Sequence, residues 1–184
     1  MLKLIKEIRE ETGAGVVDIK KALEESSGDK EKALDILRKN GIEKADKKAN
    51  RIAEEGVVVS YVHADGKSGA MVKLLCETDF VAKNSDFNDL ANDIAMQIVA
   101  MNPMAILPGD ITDEMLAEDI NNLEESGLKG GELTDKVEEI RKEKALYSQS
   151  FVKDPDITIE ELVKSKIAAI GENIKVDKFV KMDI

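Results

Sequence analysis

One cysteine, one histidine and an aromatic ring set beside a carboxylate are the residues from which chemistry could be built in this chain. Cys76 invites a reading as nucleophile, with His63 as the imidazole that would take its proton. Yet Cys76 shares one face of an alternating stretch with Val72 and Leu74, the face expected to be buried. A buried free cysteine ordinarily behaves as a small hydrophobe. One His and one Cys also make a poor set of soft metal ligands. The many carboxylates flank helices, and none forms a pair that can be placed in a cleft. Gly66-Lys67-Ser68 has the ending of a phosphate-binding loop. However, Tyr61 stands where that loop needs a glycine, and a strand rather than a helix is expected to follow. Gly13-Ala14-Gly15 likewise lacks the third glycine of a dinucleotide fingerprint, because Asp18 occupies its place. Both glycine runs are read as turns, and no cofactor is expected.

Thr78-Asp79-Phe80-Val81 stands apart. It lies between an expected strand and a long expected helix, and Phe80 is one of only six aromatic residues, four Phe and two Tyr. Two readings are open. Phe80 packs into a local core while Asp79 caps a turn, which the usual burial of large apolar side chains favours. Or the ring is an exposed finger with an acidic neighbour, suited to prying at a partner protein.

The elements that must position these residues follow from hydrophobic spacing. Leu4 and Ile8 share a helix face that stops at Thr12-Gly13-Ala14-Gly15. Val16, Ile19 and Leu23 mark a second helix. Asp29 is placed as an N-cap for a third, with Ala33, Leu34 and Leu37 inward and Asn40-Gly41 expected to close it. The charged stretch 42–55 reads as a helical connector. At Gly56 the pattern changes to the β-branched run Val57–His63. Ala64-Asp65-Gly66-Lys67-Ser68-Gly69 is a hairpin turn, and Ala70–Cys76 the returning strand. Asn84-Ser85-Asp86 then caps a helix with Phe87, Leu90, Ala91, Ile94, Ala95, Ile98 and Met101 on one stripe, ended by Asn102-Pro103. Two narrow-seamed helices at 112–126 (Leu116, Ile120, Leu123) and 132–148 (Val137, Ile140, Tyr147) suggest a protruding antiparallel hairpin. A helix from Thr158 to Gly171 and an alternating strand at 174–180 complete the chain. The expected fold class is α+β: an N-terminal three-helix module, then a three-stranded antiparallel sheet covered by helices. The domain boundary is set at 55/56, giving 1–55 and 56–184.

Acidic residues outnumber basic ones 38 to 27, for a net charge of −11. Phosphate backbones are bound by clustered Lys and Arg, so direct nucleic-acid binding is not expected. A protein partner with basic or patchy charge fits better. A lone cysteine forms no disulfide within the chain. The N-terminus turns charged at once, and no apolar run reaches membrane-spanning length. A cytoplasmic location is expected.

Four segments resemble one family, in order along nearly the whole chain. They are Ile8–Gly15 continuing to Asp18–Leu23, Leu75–Asn84 around Thr78-Asp79-Phe80-Val81, Phe151–Pro155, and Ile170–Ile174. Together they are similar to the elongation factor Ts family. The resemblance implies an N-terminal module of the ubiquitin-associated type, an α+β core, and a helical hairpin at about 111–148. It implies a guanine-nucleotide exchange factor without covalent catalysis. The partner would be elongation factor Tu, GDP-bound and nucleotide-free. Thr78, Asp79, Phe80 and Val81 would disturb that partner's Mg²⁺ site, while Gly15, Val16, Val17, Asp18 and Lys21 grip its nucleotide domain. By analogy with short family members, a homodimer is expected to join its sheets. The sequence departs from the family pattern at three places: Val16-Val17 for Met-Met, Ser150 for proline, and Asp177-Lys178 for a basic pair. Two other functions compete: an adaptor whose N-terminal bundle binds ubiquitin-like or peptide ligands, and a hydrolase using Cys76.

Overall fold

Apolar residues at helical spacing form the first three elements of the computed structural model, which describes residues 2–184. Helices α1 (Leu2–Thr12), α2 (Val16–Glu25) and α3 (Lys30–Asp46) bury Ile5, Ile8, Ile19, Ala22, Leu23, Ala33 and Leu37 in one cluster. The side chain of Asp29 caps α3 by accepting from the Lys32 N–H at 3.2 Å. Val16 does not join the buried stripe. It stands exposed at the first turn of α2, with Ile19 three residues on carrying the burial.

Asn40-Gly41 does not end α3, which continues to Asp46. A glycine inside a helix costs only about 1 kcal/mol relative to alanine, and tertiary packing outweighs it here. Leu37, Gly41 and Ala45 lie on one face. Leu37 and Ala45 are buried, and a Cβ at Gly41 would stand 3.5 Å from the Ala168 methyl. The expected helical connector is correspondingly short: turns occupy 47–50, and the chain is already in strand β1 (Glu55–Val62) by Glu55.

Strands β1, β2 (Ser68–Cys76) and β5 (Lys175–Asp183) form a three-stranded antiparallel sheet in the order β1-β2-β5. The architecture is the α+β class expected. The central strand alternates as far as Leu74, and at its end Leu75 is buried as well. Ala70, Val72, Leu74 and Cys76 are buried, while Met71 and Lys73 are exposed. At the β1–β2 turn the His63 N–H donates to the Ser68 carbonyl at 2.8 Å, and Gly66 takes φ +68°. This is a hairpin turn rather than a phosphate cradle.

After β2 come a single-turn helix α4 (Asp79–Ala82) and the long helix α5 (Ser85–Met101). The α5 stripe is buried from Phe87 to Ile98, but Met101 at its end is exposed. Helices α6 (Ala117–Glu125) and α7 (Gly131–Glu143) pair as a hairpin over Ile111, Leu116, Val137 and Ala145. Both are shorter than the periodicity suggests. Tyr147 lies outside α7, because the chain turns at Lys144, Ala145 bridges to Ala105, and Leu146–Ser148 forms a separate 3-10 turn bonded to the 105–106 segment. The Leu146 N–H donates to the Ala105 carbonyl at 2.9 Å and the Tyr147 N–H to Ile106 at 3.1 Å. A two-stranded antiparallel ribbon, β3 (Ser150–Phe151) with β4 (Asp154–Thr158), precedes helix α8 (Ile159–Ile170) and was not foreseen. The buried Gln97 side chain holds it, donating to the Ser150 carbonyl at 3.0 Å and accepting the Val152 N–H at 2.9 Å.

The chain divides into two compact units. One comprises Met1–Val59, Lys73–Ala91 and Glu161–Asp177; the other comprises Ser60–Val72, Asn92–Glu160 and Lys178–Ile184. Among the described residues no helix is long and apolar enough to cross a membrane.

Candidate functional site

Thr78 leaves β2 in extended conformation (φ −130°, ψ 155°), and its hydroxyl oxygen caps α4 by accepting the Val81 N–H at 3.4 Å. A helix of one turn has no stripe long enough to bury. Val81 and Ala82 turn partly inward, whereas Asp79, Phe80 and Lys83 face out. Phe80 is 81% exposed, so the reading that packs it into a local core is overturned. Nor is Asp79 the capping residue; that is Thr78. The Asp79 carboxylate instead pairs with the Lys83 ammonium at 2.7 Å, one helical turn on. The Lys83 hydrogen bond and charge hold the Asp79 carboxyl below its usual range, and the same contact raises Lys83.

The chain enters α5 through Asn84, whose side-chain oxygen accepts the Asp86 N–H at 2.7 Å. The Asn88 amide donates to the carbonyls of Ala82 and Asn84 at 3.0 and 2.8 Å. Both ends of α4 are therefore tied down, and the exposed ring stands on a fixed base.

Cys76 sits just before this turn. Its thiol donates to the Thr78 carbonyl at 3.2 Å. Burial first, and then the charge of Glu172, push it up to about 11. An activated nucleophile is shifted the other way, so Cys76 is not built for hydrolysis. His63 is exposed, with its Nδ1 3.3 Å from the Tyr61 hydroxyl.

In the N-terminal module, Gly13 closes α1 at φ +66°, a left-handed conformation, and its N–H donates to the Arg9 carbonyl at 2.9 Å. Gly15 precedes α2, and Val16 and Val17 follow it, 37% and 66% exposed. Asp18 lies in the first turn of α2, where a negative charge suits the helix dipole, and is paired with Lys44 at 2.8 Å. Lys21 is exposed one turn further on. Gly15, Val16, Val17 and Lys21 thus share an exposed helix start.

Residues to which the sequence reading gave no role surround Thr78. The Glu172 carboxylate accepts the N–H groups of Glu77 and Thr78 at 3.1 and 3.0 Å, and the Thr78 hydroxyl at 2.7 Å. Glu77 in turn accepts the Asn173 N–H at 2.6 Å and lies 3.5 Å from Arg51. Only the i, i+4 spacing of Asp79 and Lys83 could have been found in the sequence beforehand. A contact across 94 positions leaves no local signal.

Comparison with known proteins gives the family of the whole chain. A family model described as Elongation factor TS matches residues 2–184. The chain is 44% identical over 190 aligned positions to Elongation factor Ts of Carboxydothermus hydrogenoformans, covering 99% of this chain and 88% of that protein. It is 45% identical to those of Thermodesulfovibrio yellowstonii, at 99% and 94% coverage, and Synechocystis, at 99% and 88%. With a family model matched over residues 2–184 and relatives 44–45% identical over 99% of its length, the chain belongs to the elongation factor Ts family.

Proposed function

We propose that this chain binds elongation factor Tu in its GDP-bound and nucleotide-free forms and speeds GDP release by disturbing that partner's Mg²⁺ site. The observation that carries the reading is the exposure of Phe80 on a turn fixed at both ends. An aromatic ring held out from its own core enters a partner's apolar cleft at little conformational cost. Asp79, adjacent to it, brings a carboxylate toward the groups that hold the ion. Its link to Lys83 is exposed and exchangeable. Once the ion is displaced, the charge neutralising the β-phosphate is lost and GDP leaves faster. Val81 and Thr78 set the turn, and the helix start at Gly15, Val16, Val17, Asp18 and Lys21 supplies the second grip, on the partner's nucleotide domain.

No covalent step is needed. The coupling is reciprocal: if the chain weakens GDP binding by some factor, GDP weakens binding of the chain by the same factor. A coupling of ~3 kcal/mol corresponds to about a hundredfold each way. A homodimer joined through the sheets accompanies this reading. The exposed apolar side chains of Val62, Met71, Val180 and Met182 support it. The deciding experiment measures the off-rate of fluorescent GDP from elongation factor Tu, with and without the chain. Acceleration is expected, and an unchanged rate overturns the proposal.

A further inference from the structure

We propose that Glu172 is a positioning residue for the turn bearing Asp79 and Phe80, and that the adjacent Asn173 ties the same turn to the segment leaving the N-terminal module. The kinetic part of this inference rests on the exchange-factor reading. Three donors converge on one carboxylate: the N–H groups of Glu77 and Thr78 on Oε2, and the Thr78 hydroxyl on Oε1. Because the hydroxyl gives its hydrogen to Glu172, its lone pair is left facing the Val81 N–H that it caps. The rotamer of Thr78, and with it the start of α4, is set from outside the turn. A helix of four residues cannot hold itself, since nucleation is unfavourable and one turn recovers little of it. The direction of Phe80, two residues beyond the cap, is therefore decided by a side chain 94 positions away.

The neighbouring residue completes a reciprocal clamp. The Asn173 N–H donates to Glu77, whose side chain also faces Arg51. The buried Asn173 amide donates to the carbonyls of Ala49 and Arg51 at 3.2 and 2.8 Å. Those carbonyls belong to the segment that follows α3. One dipeptide thus grips both the exit from the three-helix module and the exposed turn.

Glu172→Gln in the full chain tests this, since it keeps the volume but removes one acceptor oxygen. Loss of a charge-assisted acceptor is expected to raise amide hydrogen exchange at Glu77 and Thr78 by about tenfold, with interior amides of α5 unchanged. The maximal rate of GDP release from elongation factor Tu is expected to fall about tenfold, while the half-saturating concentration moves less than about threefold. Phe80→Ala is expected to cost less in the Glu172→Gln background than alone, because both act on one device. Unchanged exchange at Glu77 and Thr78 overturns the clamp. Loosened amides with an undiminished maximal rate overturn the positioning role, and a uniform rise through α5 reduces Glu172 to general stability and overturns it as well. Should Glu172→Gln fail to fold, Thr78→Val carries the test. It is expected to expose the Val81 amide while the Glu77 amide stays protected, and a protected Val81 overturns the relay. If the unaltered chain does not accelerate GDP release, the exchange-factor reading falls while the amide measurements still decide the clamp.

Discussion

Phe80 and Asp79 are neighbours in the chain, but their side chains are held differently. The ring is exposed among the described residues, so its removal takes little from the fold. Phe80→Ala is expected to change stability by less than about 0.5 kcal/mol yet slow GDP release from elongation factor Tu at least about tenfold. Circular dichroism and fluorescent-nucleotide kinetics check the two halves, and a collapse of the fold would revive a core role for the ring. Asp79 is held by Lys83, which keeps its carboxyl below the ordinary value of 3.8. A depressed carboxyl contributes stability that is present above the unfolded pKa and lost as pH falls through the folded value. The α4 turn is therefore expected to keep this contact down through the usual aspartate range and to lose it only below. A carboxyl titration by NMR should place the Asp79 midpoint under 3.8, and Lys83→Met should move it upward.

Elements here are shaped by what presses on them. Gly56 lies inside β1, and a Cβ built on it would meet the Leu74 carbonyl oxygen at 2.1 Å and the Leu75 Cα at 2.9 Å. These are backbone atoms of the central strand and cannot swing aside. Gly56→Ala is expected to destabilise the chain by about 1–3 kcal/mol, as overpacking does, read from the denaturant midpoint at unchanged slope. Gly13 is constrained from another direction. Its φ is left-handed, and a Cβ would come within 3.3 Å of the Ala169 methyl on α8. The glycine signals looked alike in the sequence, yet Gly13 ends a helix, Gly41 lies inside one and Gly56 sits in a strand. Only the neighbour at each position separates them.

At the scale of the molecule, the net charge of −11 and the exposed apolar sheet residues point to protein partners. Val62, Met71, Val180 and Met182 are exposed on strands of the three-stranded sheet, and the proposed homodimer would cover them. Sedimentation equilibrium is expected to give about twice the 20.2 kDa chain mass. The double variant Met71→Lys, Met182→Lys is expected to return it to the monomer value, because a buried unpaired charge is costly. A dimer that survives both lysines would remove this face from the interface.

The sequence alone determined the α+β class, the three-helix module, the hairpin of strands, the long α5 stripe and the family, because each is written in local spacing or contiguous motif. Phe87, Leu90, Ala91, Ile94, Ala95 and Ile98 are buried as their periodicity requires. Tertiary structure decided the rest. It carried α3 past Asn40-Gly41, ended α7 early by bridging Ala145 to Ala105 and winding Leu146–Ser148 into a separate 3-10 turn, and formed the β3–β4 ribbon around Gln97. It also decided the fate of Phe80. Composition favoured burial for so large an apolar ring, but a one-turn helix clamped by Glu172 leaves it nowhere to bury. Hydrophobic spacing reports which face an element hides; it cannot report which distant carboxylate will hold a turn in place. That depends on residues brought together only when the chain has folded.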